Sequence, residues 1–156
     1  MKRERAWIVT VPLILLLGMA SGWLSNSGYR NVWFDRLSMP PFMPPGWAFP
    51  VAWTILYVLM GVAVGRVIAG NGPARRAALT LFGLQLLLNL AWSPVFFGLH
   101  QARAGLIIIG AMIPLIAITT ILFWRICRAA GALMVPYVAW LCFAALLNAA
   151  IVQLNP

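Results

Sequence analysis

Five long apolar runs, each close to the length that crosses a bilayer, constrain the fold of this chain more than any other feature. Of its 156 residues, 63% are hydrophobic and 8% are charged, and a spanning helix needs about 20 mostly apolar residues. The runs cover residues 6–24, 47–69, 77–97, 104–124 and 132–154. Because a segment in lipid must satisfy its own backbone hydrogen bonds, each run is expected to be a helix. The sequence therefore predicts an all-α integral membrane protein, a single domain over residues 1–156 folded as a bundle of five transmembrane helices.

A Pro-rich segment, residues 25–46, connects the first two runs. Pro40, Pro41, Pro44 and Pro45 lie shortly before the second run. Proline fixes φ and has no N–H to donate, so such a segment is stiff and does not continue a helix. We expect it to form a lid at one end of the bundle.

The basic residues predict an orientation. Eleven Lys and Arg residues against two acidic residues give a formal net charge of +9. On alternate sides of the predicted bundle, Arg30, Arg36 and Arg103 fall on one side and the other eight on the opposite side. The positive-inside rule then places the N-terminus in the cytoplasm and the lid outside, in a bacterial cell membrane. Because these residues are scattered between apolar runs, we expect the lipid bilayer as a partner and no nucleic acid.

Residues for ordinary catalysis are missing from the predicted spans. Glu4 precedes the first span, and Asp35 and His100 lie in loops. Acid–base catalysis and proton-coupled transport need such groups in a cavity or within the membrane. Cys127 and Cys142 have neither a C-x-x-C spacing nor a matching His pair. We therefore expect no metal site, no acid–base chemistry and no required cofactor.

Aromatic and amide side chains recur at helical spacing on three spans. They are Trp53, Tyr57 and Gly61 in the second span, Gln85, Asn89, Trp92 and Phe96 in the third, and Tyr137, Trp140, Ala144 and Asn148 in the fifth. Residues four apart share one face of a helix. Taken singly, each amide is expected to tie two helices together, with a hydrogen bond worth about 1 kcal/mol. Taken together, the three faces predict an apolar pocket with a few orienting polar groups.

The remaining tryptophans and two glycines allow further interpretations. Trp7, Trp23 and Trp124 lie at span ends, where indole rings favour the membrane interface. Gly61 and Gly65 form a G-x-x-x-G motif, which lets another backbone approach closely. That motif fits a dimer contact and internal packing equally well.

The first span has two interpretations. Its basic start, apolar centre and small residues at Gly18 and Ala20 also fit a signal peptide cleaved after Ala20. Cleavage would leave four helices in place of five. The residues of the span leave both interpretations open.

Three blocks of this sequence resemble the TspO/MBR family, the tryptophan-rich sensory proteins related to the mitochondrial translocator protein. Residues 33–61 read WFDRLSMPPFMPPGWAFPVAWTILYVLMG, residues 85–98 read QLLLNLAWSPVFFG, and residues 136–148 read PYVAWLCFAALLN. The blocks follow the family's order and spacing and cover about half of the chain. Since family members keep five helices, the resemblance also implies that the first span is retained.

The resemblance implies a five-helix bundle, often a homodimer, whose cavity beneath the first loop binds porphyrins such as protoporphyrin IX or haem. The positions that match the family's lid and pocket are Pro44, Pro45, Trp47, Phe49, Asn89, Ala144, Leu147 and Asn148, and Trp53 and Trp140 match the two tryptophans associated with porphyrin binding and its light-dependent breakdown. Animal members also bind cholesterol through a Tyr and a cation late in the fifth helix. Residues 149–156 contain neither, so sterol binding is not expected.

Three functions are compatible with this pattern. The first is a porphyrin-binding sensor or carrier, with Arg30 and Arg36 as candidates, by charge alone, for contact with the carboxylates. The second is a light-dependent porphyrin-degrading enzyme, in which Trp53 and Trp140 donate electrons to the excited ring. The third is a membrane scaffold that modulates a partner complex.

Overall fold

All regular secondary structure in the part of the chain that the structure describes, residues 5–156, is helical. The structure is a computed structural model. Its helices are α1 (Trp7–Leu24), α2 (Val32–Asp35), α3 (Ala48–Ala69), α4 (Arg75–Ser93), α5 (Ala102–Ile126) and α6 (Arg128–Leu154), and a π-helical segment, Pro94–Gly98, continues α4. Five of these helices, counting α4 with its π-helical end, are long and apolar enough to cross a membrane. The prediction of an all-α integral membrane protein is thereby confirmed.

The turn between α5 and α6 is much shorter than the sequence predicted. The apolar runs suggested a connection over residues 125–131, whereas only Cys127, with extended backbone, separates the two helices. Gly131 explains the difference, because a Cβ at this position would lie 2.6 Å from Trp124 Cβ. The glycine acts as a close-packing residue inside α6, and the two helices start to pack at the turn itself.

The G-x-x-x-G motif packs α1 against α3 within one chain. A Cβ on Gly61 would lie 2.5 Å from Val11 Cα, and one on Gly65 would lie 2.7 Å from Trp7 Cα. The Thr10 hydroxyl adds a hydrogen bond of 2.7 Å to the Gly61 carbonyl. Of the two interpretations of this motif, the structure supports internal packing. The homodimer remains a prediction.

Two asparagines anchor the loop of residues 25–46 to the helix ends. The Asn31 side-chain oxygen accepts hydrogen bonds from the first turn of α2, and its Nδ2 donates to the Phe97 carbonyl at 3.0 Å. Asn155, just after α6, accepts from the Ser38 amide at 2.9 Å and donates to the Ser38 carbonyl at 3.0 Å. Side-chain amides thus hold the lid in place in addition to its prolines.

Replacing Asn155 by Ala is expected to loosen the middle of this loop. Both bonds to Ser38 would be lost, and two exposed or half-exposed hydrogen bonds contribute about 1–2 kcal/mol together. Backbone amides of residues 36–43 should therefore exchange with deuterium about tenfold faster. Gln153→Ala, an exposed change in the last turn of the same helix, serves as the control. Equal exchange in both variants would contradict the anchoring role.

Candidate functional site

A cavity of about 580 Å³ lies beneath the anchored loop, between α1, α3, α4, α5 and α6. This volume falls within the range of about 300–1,000 Å³ typical of small-molecule sites. Ten of the residues that the sequence assigned to the helix faces or to the family's lid and pocket line it: Phe49, Trp53, Tyr57, Asn89, Trp92, Phe96, Trp140, Ala144, Leu147 and Asn148. The structure therefore brings the three predicted helix faces to one cavity.

A chain of hydrogen bonds forms the floor of the cavity. The Tyr57 hydroxyl donates to Asn89 Oδ1, Asn89 Nδ2 donates to the Tyr137 hydroxyl, and that hydroxyl donates to Gln85 Oε1, each at 2.9 Å. Tyr137 and Gln85 are wholly buried and do not line the cavity. These two residues tie α4 to α6 below the site, as the simpler interpretation of the amides predicted, whereas Asn89 does this and also faces the cavity.

Asn148, like Asn89, joins helices and also lines the cavity. Its Oδ1 accepts from Trp92 Nε1 at 3.3 Å, and its Nδ2 donates to the Ala102 carbonyl at 2.8 Å. The side chain thus joins α4, α5 and α6 at one point of the cavity wall. Since both ends of the amide are already used, we expect Asn148 to position Trp92 more than to bind a ligand directly.

The opposite wall is a group of aromatic rings on α3 and α6. Trp53 and Trp140 meet edge to face, with ring centroids 6.4 Å apart and planes at 84°. Trp53 also stacks on Tyr57 at 5.3 Å, and Phe49 packs on the edge of Trp140 at 6.1 Å. Trp140 Nε1 is buried and has no hydrogen-bond partner among the described residues. Since a buried donor normally has a partner, this N–H is an unsatisfied polar group within the described part of the chain.

The π-helical segment at the end of α4 places two rings at the cavity, Phe96, which the periodicity predicted, and Phe97, which it did not. Pro94 starts it, and its carbonyl accepts from the Leu99 amide at 2.9 Å, five residues on. The wider turn buries Phe96 and Phe97 side by side at the cavity, with Phe96 stacked on Trp92 at 4.8 Å. The signal for this segment in the sequence was Pro94, close to the end of the third span. π-Helical turns often occur at functional sites.

Only some of the predicted lid residues line the cavity. Pro44, Pro45 and Trp47 do not line it, and Trp47 is 69% exposed. Their contact with a ligand stays a prediction. From the same loop, Tyr29 and Gly46 reach the cavity, and the two pack closely on each other.

The lining also includes residues that sequence analysis missed or interpreted differently. From α1 come Gly18, Met19, Ser21, Gly22 and Trp23, and from α5 come Ile109 and Met112. The small residues of α1 at a spacing of four were the available signal. Arg30 lines the cavity, as its charge suggested, whereas Arg36 does not.

Fold and site together define a class of protein. Five spanning helices enclose an aromatic cavity that has few polar groups and is capped by an anchored loop, so this is a multi-pass membrane protein with a cavity suited to a small molecule. The model of the TspO/MBR family matches residues 9–154. The chain belongs to the TspO/MBR family.

Relatives of known name extend over nearly the same length. The tryptophan-rich protein TspO of Chlorobaculum tepidum is 37% identical over 155 residues, which cover 96% of this chain and 98% of the relative. Protein CrtK of Rhodobacter capsulatus is 38% identical, over 81% of this chain and 80% of the relative. The translocator protein of Ovis aries is 35% identical, over 91% of this chain and 87% of the relative.

Proposed function

We propose that this protein binds a tetrapyrrole such as protoporphyrin IX or haem in the cavity and acts as a membrane sensor or carrier. The observation that carries the proposal is the aromatic wall of Trp53 and Trp140 beside the unpartnered Trp140 N–H. A porphyrin is a large flat ring with acceptor groups at one edge. Aromatic side chains stack on such a ring, and a free indole N–H pairs with an acceptor.

The charge at the mouth of the cavity supports an acidic ligand. Among the described residues that line the cavity, Arg30 is the only charged one, and Asn26 and Ser27 lie three to four positions before it. The two carboxylates of a porphyrin would meet this end of the cavity while the ring lies among the tryptophans. A guanidinium binds carboxylates with paired hydrogen bonds.

The names of relatives support the proposed role, and the distribution of charge supports the proposed orientation in the membrane. TspO-type relatives and the translocator proteins suggest sensing or carriage of a ligand. We further propose a bacterial cell membrane with the N-terminus in the cytoplasm, since eight of the eleven basic residues fall on that side. A homodimer is proposed from family resemblance alone.

Titration with protoporphyrin IX in the dark tests the binding function. We expect saturable quenching of tryptophan fluorescence, because the ligand would lie against Trp53 and Trp140. Trp53→Phe/Trp140→Phe should weaken binding about tenfold or more, since loss of stacking area and of one N–H costs at least about 1.4 kcal/mol. Trp7→Phe/Trp124→Phe, which removes two tryptophans outside the cavity lining, controls for the lost fluorescence. Absence of saturable quenching in the unchanged protein would overturn the proposal.

A second candidate function is light-dependent degradation of the bound porphyrin. The edge-to-face pair of Trp53 and Trp140 favours it, because both indoles line the cavity and would lie against a ring bound there, in position to donate electrons to it when it is excited. Under illumination in air, this function predicts loss of porphyrin absorbance in the unchanged protein and stable absorbance in Trp53→Phe/Trp140→Phe. Stable absorbance in both proteins would contradict degradation and leave the sensor or carrier as the one proposed function.

A further inference from the structure

The hydrogen-bond chain at the cavity floor ends beside an unpartnered donor. It runs from the Tyr57 hydroxyl through Asn89 and the Tyr137 hydroxyl to Gln85 Oε1, with each donor–acceptor distance at 2.9 Å. Gln85 is wholly buried, and its Nε2 has no hydrogen-bond partner among the described residues. Buried N–H groups without a partner are rarer in proteins than buried carbonyl oxygens without one. This direction of the chain therefore leaves the more costly end of the Gln85 amide unpaired.

The same atom positions allow the chain to run in the reverse direction. A half-turn of the Gln85 amide exchanges Oε1 and Nε2, so that Nε2 donates to the Tyr137 hydroxyl. A half-turn of the Asn89 amide then lets its Oδ1 accept from Tyr137 and its Nδ2 donate to Tyr57. Because a tyrosine hydroxyl can both donate and accept, the three hydrogen bonds of the chain are all kept. Reversal costs no hydrogen bond within the floor.

The direction of the chain decides what a ligand meets at Tyr57. Tyr57 and Asn89 line the cavity, whereas Tyr137 and Gln85 do not. When Tyr57 donates to Asn89, its hydroxyl offers the cavity only lone pairs, which accept a hydrogen bond. When Tyr57 accepts from Asn89, its proton is free to turn toward the cavity. One hydroxyl thus has two polarities, and both depend on the wholly buried amide of Gln85.

We propose that the floor chain reverses with the ligand, so that Tyr57 accepts from a ligand that carries a donor at the floor and donates to one that carries an acceptor. The ligand class is flat, apolar molecules with one N–H, O–H, carbonyl or ring nitrogen on the edge that reaches the floor. Gln85 touches no ligand and is a positioning residue, because its amide can end the chain as acceptor or as donor. The inference takes from the proposed function only that the cavity binds a flat small molecule, and no part of it needs a porphyrin.

Gln85→Met is expected to fix the chain in the reverse direction. Methionine keeps the length of the side chain but removes Oε1, so that Asn89 is the remaining one of the two hydrogen-bond partners of Tyr137. A buried hydroxyl without an acceptor is costly. Asn89 should therefore turn Oδ1 to Tyr137 and Nδ2 to Tyr57, and the Tyr57 proton should face the cavity. In this variant the floor can donate to a ligand but cannot accept from one without losing a bond.

Three flat tricyclic probes of nearly the same shape test this expectation. Carbazole has one N–H donor, 9-fluorenone has one carbonyl acceptor, and fluorene has neither. By isothermal titration calorimetry in one detergent, carbazole and fluorenone should each bind the unchanged protein about threefold or more tighter than fluorene does. In Gln85→Met, fluorenone should keep its advantage and carbazole should fall to the level of fluorene. Leu84→Met, a change at an exposed position of the same helix, should leave all three affinities within about twofold.

A second substitution separates the relay from a merely structural role of Gln85. In a Tyr137→Phe background Gln85 no longer reaches Asn89, so Gln85→Met should change the ratio of carbazole to fluorenone affinity by less than about twofold. A structural role would lower both affinities together and leave their ratio unchanged in either background. An unchanged ratio in Gln85→Met, or no advantage of either probe over fluorene in the unchanged protein, would overturn the inference.

Infrared spectroscopy reads the direction of the chain without any substitution. The chain contains three glutamines, and Gln101 and Gln153 are exposed, so a change on ligand binding in protein labelled with ¹³C at the glutamine side-chain carbonyl reports on Gln85. The band should lie at lower wavenumber with carbazole, when Oε1 accepts from Tyr137, and at higher wavenumber with fluorenone. The same band position in both complexes would overturn the reversal. Titration with protoporphyrin IX decides the proposed function separately.

Discussion

Replacing Gly61 by Ala is expected to destabilise the fold by about 2–3 kcal/mol, the upper range for adding a methyl group to a tightly packed contact. The new Cβ would lie 2.5 Å from Val11 Cα and 2.9 Å from Val11 N, so backbone has to move. Separation of α1 from α3 would also stretch the hydrogen bond from Thr10 to the Gly61 carbonyl. A flexible side chain could adapt to the extra methyl group, but a helix backbone cannot do so locally.

Gly83→Ala in α4 is the matched control, because a Cβ there has no atom within 4 Å. This change should be neutral or should stabilise the helix by about 0.5–1 kcal/mol, since alanine loses less backbone entropy than glycine. Thermal unfolding in detergent, followed by near-ultraviolet circular dichroism, would give both values. Equal unfolding midpoints in the two variants would show that α1 and α3 do not approach this closely.

Replacing Ala144 by Phe is expected to weaken binding of a flat ligand strongly while leaving the bundle folded. Ala144 lines the cavity on α6, between Trp140 and Asn148 in the same stripe. A benzyl group there would occupy the space of a ring edge and block stacking on Trp140. We expect the dissociation constant for protoporphyrin IX to rise about 100-fold, a loss of about 2.7 kcal/mol.

Ala139→Phe provides the control on the same helix. Ala139 is exposed and lies in a shallow apolar groove on the outer face of α3 and α6, with Ile55 and Phe143. The same added volume there lies in the outer groove and not in the cavity, so binding should stay within about twofold, less than 0.5 kcal/mol. Fluorescence titration of both variants, with size-exclusion profiles to verify folding, would compare them. Equal affinities would place the ligand outside this cavity.

The aromatic and amide residues at helical spacing show which part of the site could be predicted from the sequence. A spacing of four residues put Trp53 with Tyr57, and Trp140 with Ala144 and Asn148, on single helix faces, and these residues do line one cavity. Helical spacing could not tell Asn89, which faces the cavity, from Gln85, one turn earlier and wholly buried. That distinction depends on the depth at which α6 packs against α4, where the Tyr137 hydroxyl donates a hydrogen bond to Gln85 Oε1.

The sequence by itself determined the class of protein, the number of spans and the family. The class and the number of spans follow from local information, because a helix in lipid satisfies its own backbone, so length and apolarity identify it without knowledge of its neighbours. The family follows from the three blocks of residues 33–61, 85–98 and 136–148. Only the tertiary structure decided that Gly61 and Gly65 pack inside one chain, that Asn155 anchors the loop, and that α1 forms one side of the cavity. These outcomes depend on which helix lies opposite, and the position of a neighbouring helix is not encoded in the periodicity of a single helix.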